Sequence, residues 1–350
     1  MKKERPVHEL REKMMPYVDK NILIILRGAP DPDGISSALC HKVILKMWGI
    51  NSTILYVEEV SHQENRALLK LLDIQLTVYH PGFPFEDYSA ISLVDTQKPD
   101  FKLIDLVKDM TTASIVDHHD QVDSLNAAFI DIRKNVGATA TIYAEYLKDL
   151  DLLDNLKEEH VSISTALIHG IRVDTDNLIL AKENDYLSMG YLSKYADTDL
   201  LNKISQQKLS PTTMDIIFQA YQYKNIYENF LLAPAGIVRR DDRDAIPQAA
   251  DFLLKRVGID TVLVYGIVGE YIDCSFRTTS DVVQPEKFIE ETFPDVLQGE
   301  YGGRSYKGGF RLSLGIFKSL ITGDDKEALS HMVDRYINKQ IINKLGIEIK

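Results

Sequence analysis

Apolar runs of strand length recur through the first 132 residues: Asn21–Leu26 (NILIIL), Ser52–Val57 (STILYV), Ala90–Thr96 (AISLVDT), Ala113–His119 (ASIVDHH) and Ala127–Ile132 (AAFIDI). Their apolar residues stand side by side rather than at alternate positions, the pattern of strands covered on both faces. Between the first two runs, Ile35–Gly49 (ISSALCHKVILKMWG) carries apolar residues at three- and four-residue spacing and ends on a glycine, which predicts a helix with a left-handed stop. Strands alternating with helices predict an α/β domain: a mostly parallel sheet with helices on both faces. From Gly137 to Leu178 the periodicity is helical, with Asp174 near the end of a helix.

Past Asn184 the helical pattern continues with more charge, and Pro211 marks a helix start. After Asn229 the pattern changes to a strand, a helix and two strands joined by the tight turn VGEY. A glycine-rich stretch, Gly299–Gly315, and a last helix from about Asp325 complete it. The expected organisation is a catalytic sheet domain over residues 1–195, a helical connector over 196–228 and a smaller α+β domain over 229–350.

With 45% hydrophobic and 26% charged residues in 350, the chain has the composition of a globular protein. A formal charge of −12 argues against duplex nucleic acid as a partner, because that grip needs many phosphates neutralised by Lys and Arg. It leaves room for a small phosphorylated substrate, above all where bound metal supplies local positive charge. Two distant cysteines, Cys40 and Cys274, make neither a disulfide framework nor a zinc pattern. No signal-like segment and no long apolar run is present, so a cytoplasmic setting without membrane association is expected.

Three of the strand-like runs lead into acidic residues: Asp31 and Asp33, then Asp95, then Asp117 followed by His118 and His119. Each cluster alone is ordinary; DPDG is turn chemistry, and DHHD reads equally as a solvated loop. Together they sit where ligands gather in parallel sheets, at the carboxyl ends of the strands. Several carboxylates brought together repel one another unless a cation stands among them. A haloacid-dehalogenase-type nucleophile would follow its strand directly, but here RGAP intervenes and the paired histidines find no use. There is no P-loop, no G-x-G-x-x-G after a strand, no H-E-x-x-H and no G-x-S-x-G.

Four segments in order, PDPDGISSA, LVDTQ, VDHHD and GIRVDTDNL, resemble the motifs of the DHH phosphoesterase family, and CSFRTTS with YGGRSYKGG is similar to its DHHA1 substrate-binding domain. The resemblance implies two divalent ions, manganese by habit with magnesium or cobalt as substitutes. Asp33, Asp95, His118 and Asp174 would hold one, and Asp31 with the bridging Asp95 the other. It further implies His119 as a contact to the scissile phosphate and Asp117 as an orienting partner of a histidine. Arg277, Ser275, Gly302, Gly303, Arg304, Ser305 and Lys307 would bind substrate across an interdomain cleft, with a homodimer compatible.

Two departures stand out. Arg27 replaces a histidine that many members carry four residues before the first aspartate; it cannot ligate and is expected to face a phosphate. Arg304 replaces the histidine of the glycine motif, and the cations beside glycines resemble an anion cradle. The activity implied is hydrolysis of short oligoribonucleotides, dinucleotides or 3'-phosphoadenosine-phosphate. Hydrolysis of inorganic polyphosphate or pyrophosphate, or a nucleotide sensor with little turnover, are the alternatives.

Overall fold

A computed structural model describes residues 5–60, 62–122, 124–294, 296, 301–304, 306–321 and 325–347, with 302–304 described by main chain alone. It separates into two compact units, Met1–Gln207 and Lys208–Lys350. The division falls inside the stretch expected as a connector.

In the first unit, six strands form one sheet: β1 (Asn21–Ile25), β2 (Asn51–Tyr56), β3 (Thr77–Val78), β4 (Ala90–Val94), β5 (Thr112–Asp117) and β6 (Phe129–Ile132). All neighbours are parallel, in the order β3-β2-β1-β4-β5-β6. The order reverses between β1 and β4, where the loops leaving the two strands part to opposite sides and open a crevice. Every residue of β4, and all but the first of β1, is buried, as expected for strands whose apolar residues run consecutively. The sequence pattern located five of the six strands; two-residue β3 is too short to leave a period.

Helices α1 (Pro6–Met14), α2 (Pro32–Met47), α3 (Gln63–Leu71), α4 (Ile104–Val107), α5 (Thr139–Asp149), α6 (Glu158–Asp174), α7 (Glu183–Leu192) and α8 (Thr198–Ser205) complete this unit. Ile22 and Ile24 point into a core shared with Val7, Ile44, Tyr143, Tyr146 and Leu167 of α1, α2, α5 and α6. Leu23 and Ile25 point to the other face, where short α4 and the aromatic residues Phe83, Phe85 and Tyr88 cover them. Helix α2 ends where the sequence predicted, with Gly49 in the left-handed region at φ 77°. Trp48, expected to pack, is buried.

The close pairing of α2 and α6 depends on Gly170. A Cβ there would lie 2.4 Å from Ser36 Oγ and 3.0 Å from the Pro32 carbonyl, a clash that only separating the helices relieves. Asp33 and Asp174 lie on these two helices, so the contact sets their separation.

The second unit holds β7 (Asn225–Tyr227), β8 (Phe230–Val238), β9 (Thr261–Val268), β10 (Tyr271–Thr278), β11 (Tyr301–Arg304) and β12 (Lys307–Ser313), in the order β11-β12-β10-β9-β8-β7. Only β8 and β9 are parallel, joined through α10 (Ala245–Leu253); the remaining pairs are antiparallel. Helices α11 (Pro285–Thr292) and α12 (Lys326–Leu345) pack on one face, and α9 (Pro211–Gln222) with α10 on the other. Helix α9 begins as the sequence predicted: Pro211 is its first residue, and Ser210 accepts the Thr213 N–H at 3.0 Å. The aromatic stretch AYQYKNIYENF, whose composition reads as packing, is divided: Tyr221 and Tyr223 are 47% and 60% exposed, whereas Phe230 is buried and Tyr227 packs against the same core. Among the described residues no helix is long and apolar enough to cross a membrane.

Candidate metal centre

The crevice between β1 and β4 collects the acidic residues. Asp31 is the N-cap of α2, accepting the Gly34 N–H at 2.8 Å, and Pro32 at the first helical position presets the turn. Asp33, within the first turn of that helix, is buried. Its carboxylate accepts the N–H groups of Thr139 and Ala140, each at 2.7 Å, from the start of α5. A helix N-terminus thus aims its unpaired donors at a buried anion. Asp95 follows β4 directly and has a left-handed backbone, φ 57°, an uncommon conformation for a side chain with a Cβ. The Thr139 hydroxyl donates to its Oδ1 at 2.8 Å.

One imidazole brings three of these carboxylates together. His118 Nε2 lies 2.9 Å from Asp174 Oδ2, 3.7 Å from Asp95 Oδ1 and 3.8 Å from Asp33 Oδ2. The four residues come from the loop after β4, the loop after β5, the start of α2 and the end of α6. His119 lies beside His118 with ring centroids 4.5 Å apart and planes tilted by 59°, and its Nδ1 is 3.8 Å from Asp95 Oδ1. The ligand atoms of Asp33, His118 and Asp174, and again those of Asp95, His118 and His119, fall within 4.8 Å of one another. Hard carboxylate oxygens with one or two imidazoles are a donor set for manganese, magnesium or zinc class ions. Asp31 stands on the other side of Asp95: a Cβ on Gly34 would sit 3.4 Å from both Asp31 Oδ1 and Asp95 Oδ2, so the glycine keeps the space between those oxygens clear.

Crowding shows in the acidities. Burial, and then the charge of Asp174, raise Asp33 from 3.8 to about 7. Burial and the carboxylates of Asp33, Asp31 and Asp174 push Asp95 well above the ordinary range. Asp117 goes the other way: burial pushes it up, but its hydrogen bonds to His119 and Gln97 outweigh that and hold it below 3.8. Its Oδ1 is 2.7 Å from His119 Nδ1 and also accepts the His118 N–H at 2.8 Å. The histidine whose ring Asp117 orients is therefore His119.

Two residues central to this arrangement were not singled out from the sequence. Thr139 ties the start of α5 to both Asp33 and Asp95 through its N–H and hydroxyl; it lies in the VGATATI stretch but has no charge to mark it. Gln97, buried two residues beyond Asp95, donates from Nε2 to Asp117 Oδ2 at 2.7 Å and to the Asp120 carbonyl at 3.1 Å, and accepts the Val122 N–H at 2.8 Å. It fastens the loop bearing both histidines to the loop bearing Asp95. Replacing Gln97 by leucine of similar size is expected to lower turnover roughly 10- to 100-fold, the usual cost of losing an outer partner of a metal site, with the fold retained by circular dichroism. Turnover unchanged with a melting curve like wild type would refute that role.

A cavity of about 320 Å³ opens at these strand tips, lined among others by Arg27, Asp31, Asp95, Lys98 and His119. In the second unit, the substrate-binding candidates occupy adjoining rows of three strands. Arg277 stands opposite Lys307, which stands opposite Arg304; Ser275 stands opposite Gly309, which stands opposite Gly302. Arg277 is held by Asp251 at 2.6 Å and by Ser275 at 2.9 Å. Gly302 and Gly303 are strand residues, standing opposite Gly309 and Gly308 of β12. Ser305 lies outside the described residues.

A protein of Methanocaldococcus jannaschii, itself uncharacterized, is 34% identical over 331 residues, 93% of this chain; the chain spans 64% of that relative's length. The crystal structure of an exopolyphosphatase-related protein from Bacteroides fragilis superposes with a TM-score of 0.68 at 14% identity, covering 97% of this chain and 98% of that one. RecJ from Thermus thermophilus, in complex with Mn2+, gives a TM-score of 0.51 at 11% identity over 93% of this chain and 55% of its own. Residues 21–171, which span the sheet, the strand-tip carboxylates and the paired histidines, match the model of the DHH family N-terminal domain, and the chain carries a domain of that family.

Proposed function

We propose that this protein is a divalent-metal-dependent hydrolase of phosphoester bonds, with manganese as the metal and short nucleotide phosphoesters as substrates: oligoribonucleotides, dinucleotides or 3'-phosphoadenosine-phosphate. The observation that carries this reading is His118 Nε2 facing the carboxylates of Asp174, Asp95 and Asp33 within 3.8 Å. Buried carboxylates crowded enough to raise their pKa need a neutralising partner, and a divalent cation among them supplies that charge once the protons leave. Asp33, Asp95, His118 and Asp174 would hold one ion and Asp31 with Asp95 a second. When bound, the ions lower the pKa of water and neutralise phosphate charge.

The protein's own residues supply position. Thr139 and the start of α5 hold the Asp33 and Asp95 carboxylates in place. Asp117 fixes the His119 ring through Nδ1, which sets that ring against the phosphate in the cavity. Arg27 on the cavity wall supplies a permanent charge for a phosphate oxygen. Arg277, Ser275, Lys307 and the Gly302–Arg304 strand are assigned to the remainder of the substrate. The fold shared with an exopolyphosphatase-related protein keeps condensed phosphates as the second reading.

The test is a substrate panel with metal-stripped protein to which manganese is restored: short RNAs, linear and cyclic dinucleotides, 3'-phosphoadenosine-phosphate and tripolyphosphate. Manganese-dependent release of nucleotide monophosphates is the expected result. Turnover of tripolyphosphate alone would favour the second reading, and tight nucleotide binding without product would leave a sensor.

A further inference from the structure

The cavity at the strand tips is lined by four aspartates and by two cations. Arg27, in the loop after β1, and Lys98, in the loop after β4, both line it and both are exposed. Asp31, Asp95, Asp117 and Asp120 line the same cavity, yet neither cation forms an ion pair among the described residues. Their neighbours behave differently: Lys102 pairs with Glu58 at 3.8 Å, and Lys134 pairs with Asp120 at 2.7 Å. In a chain of net charge −12, two cations beside several carboxylates are expected to collapse onto them.

The loops that carry them are anchored. Gly28 takes the left-handed φ of 62° and donates its N–H to Asp100 Oδ2 at 3.2 Å, while its carbonyl accepts the Glu58 N–H at 3.2 Å. Asp100 is buried and also accepts the Lys102 N–H at 2.9 Å. The Lys98 carbonyl accepts the Thr96 hydroxyl at 2.9 Å. Buried Asp100 thus fastens the main chain beside Arg27, and the Thr96 hydroxyl that at Lys98, so the loops carrying the two cations are held in place.

We infer that Arg27 and Lys98 form a second anion subsite, which takes a phosphate other than the one hydrolysed. The inference rests on the strand-tip carboxylates being the hydrolytic centre and narrows the substrate class: molecules in which a second phosphate lies close to the scissile phosphorus, such as terminally phosphorylated dinucleotides, nucleoside bisphosphates or condensed phosphates. A guanidinium fork and an ammonium point charge suit that anion together, and their exposure makes the contribution sensitive to salt.

The experiment compares kcat/KM for a dinucleotide carrying a 5'-phosphate with that for the same dinucleotide lacking it. The wild type is expected to prefer the phosphorylated form by about tenfold or more, the usual worth of a charge-assisted hydrogen bond. In Lys98→Gln and in Arg27→Gln that preference shrinks toward unity, and Lys98→Arg restores it. A loss falling equally on both substrates, or a preference left intact, overturns the subsite. Binding of the two dinucleotides to Asp95→Asn, with and without Lys98→Gln, reads the same discrimination without turnover. Should the wild type hydrolyse neither dinucleotide nor any other member of the substrate panel, the hydrolytic reading fails, while the binding ratio still supports or refutes the subsite.

Discussion

Replacing Asp95 by asparagine is expected to lower manganese-dependent turnover by roughly a thousandfold or more, the scale of losing a group that stabilises charge at a reacting centre. Asp95 lies 3.7 Å from His118 Nε2 and 3.8 Å from His119 Nδ1 and flanks Gly34 opposite Asp31, so both proposed ions depend on it. Asparagine is the right probe because its backbone tolerates the left-handed φ of 57° found there, where alanine would add about 1–2 kcal/mol of strain. It also keeps an acceptor for the Thr139 hydroxyl. Removing a carboxylate pushed well above its ordinary pKa by burial and by its neighbours is expected to leave the metal-free protein as stable as wild type or more so. Initial rates, bound manganese per chain and thermal melts separate the effects. A variant that keeps its rate within tenfold at unchanged metal content would remove Asp95 from the centre.

The second large effect is a stability that falls with rising pH when metal is absent. Asp33 holds its proton up to about pH 7 in the folded protein but only to 3.8 without the fold's perturbation. Between those values the native state binds more protons than the unfolded chain, so stability decreases as pH climbs. The contribution is complete below about pH 4 and gone above about 7, with an amplitude of order a few kcal/mol. Asp95, raised in the same direction by burial and the neighbouring carboxylates, adds to the decline. Asp117 works oppositely: held below 3.8, it stabilises above that value and its contribution is lost on acidification.

Metal should reverse the alkaline slope, because ligation requires ionised carboxylates and so strengthens with pH. The expected result is a manganese-induced rise in Tm that is small at pH 5 and largest above pH 7. Urea unfolding at several pH values, in chelator and in manganese, checks this. Asp33→Asn should flatten the chelator curve; a wild-type curve already flat from pH 5 to 8 would contradict the crowding of these carboxylates.

Strand positions, the end of α2 at Gly49 and the start of α9 at Pro211 were all legible, since each depends on neighbours a few residues apart. So was the placing of Asp31, Asp33, Asp95, Asp117 and the histidines at strand ends, because an apolar run that stops at an acid announces itself. Gln97 and Thr139 were not, since an uncharged side chain becomes part of a centre only when a distant loop or helix end arrives within hydrogen-bonding reach.

What the amino-acid order alone determined is the local alternation of buried strands and amphipathic helices and the kind of chemistry available at the strand tips, because both follow from periodicities and side-chain types within one or two turns of chain. Only the tertiary structure decided which carboxylates meet. The β3-β2-β1-β4-β5-β6 order sets β1 beside β4. Gly170 lets α6 approach α2 closely enough for Asp174 to come within 2.9 Å of His118. The N-terminus of α5 then caps Asp33, 106 residues away in sequence. These are long-range packing outcomes, and the energy that holds like charges together comes from the fold around them.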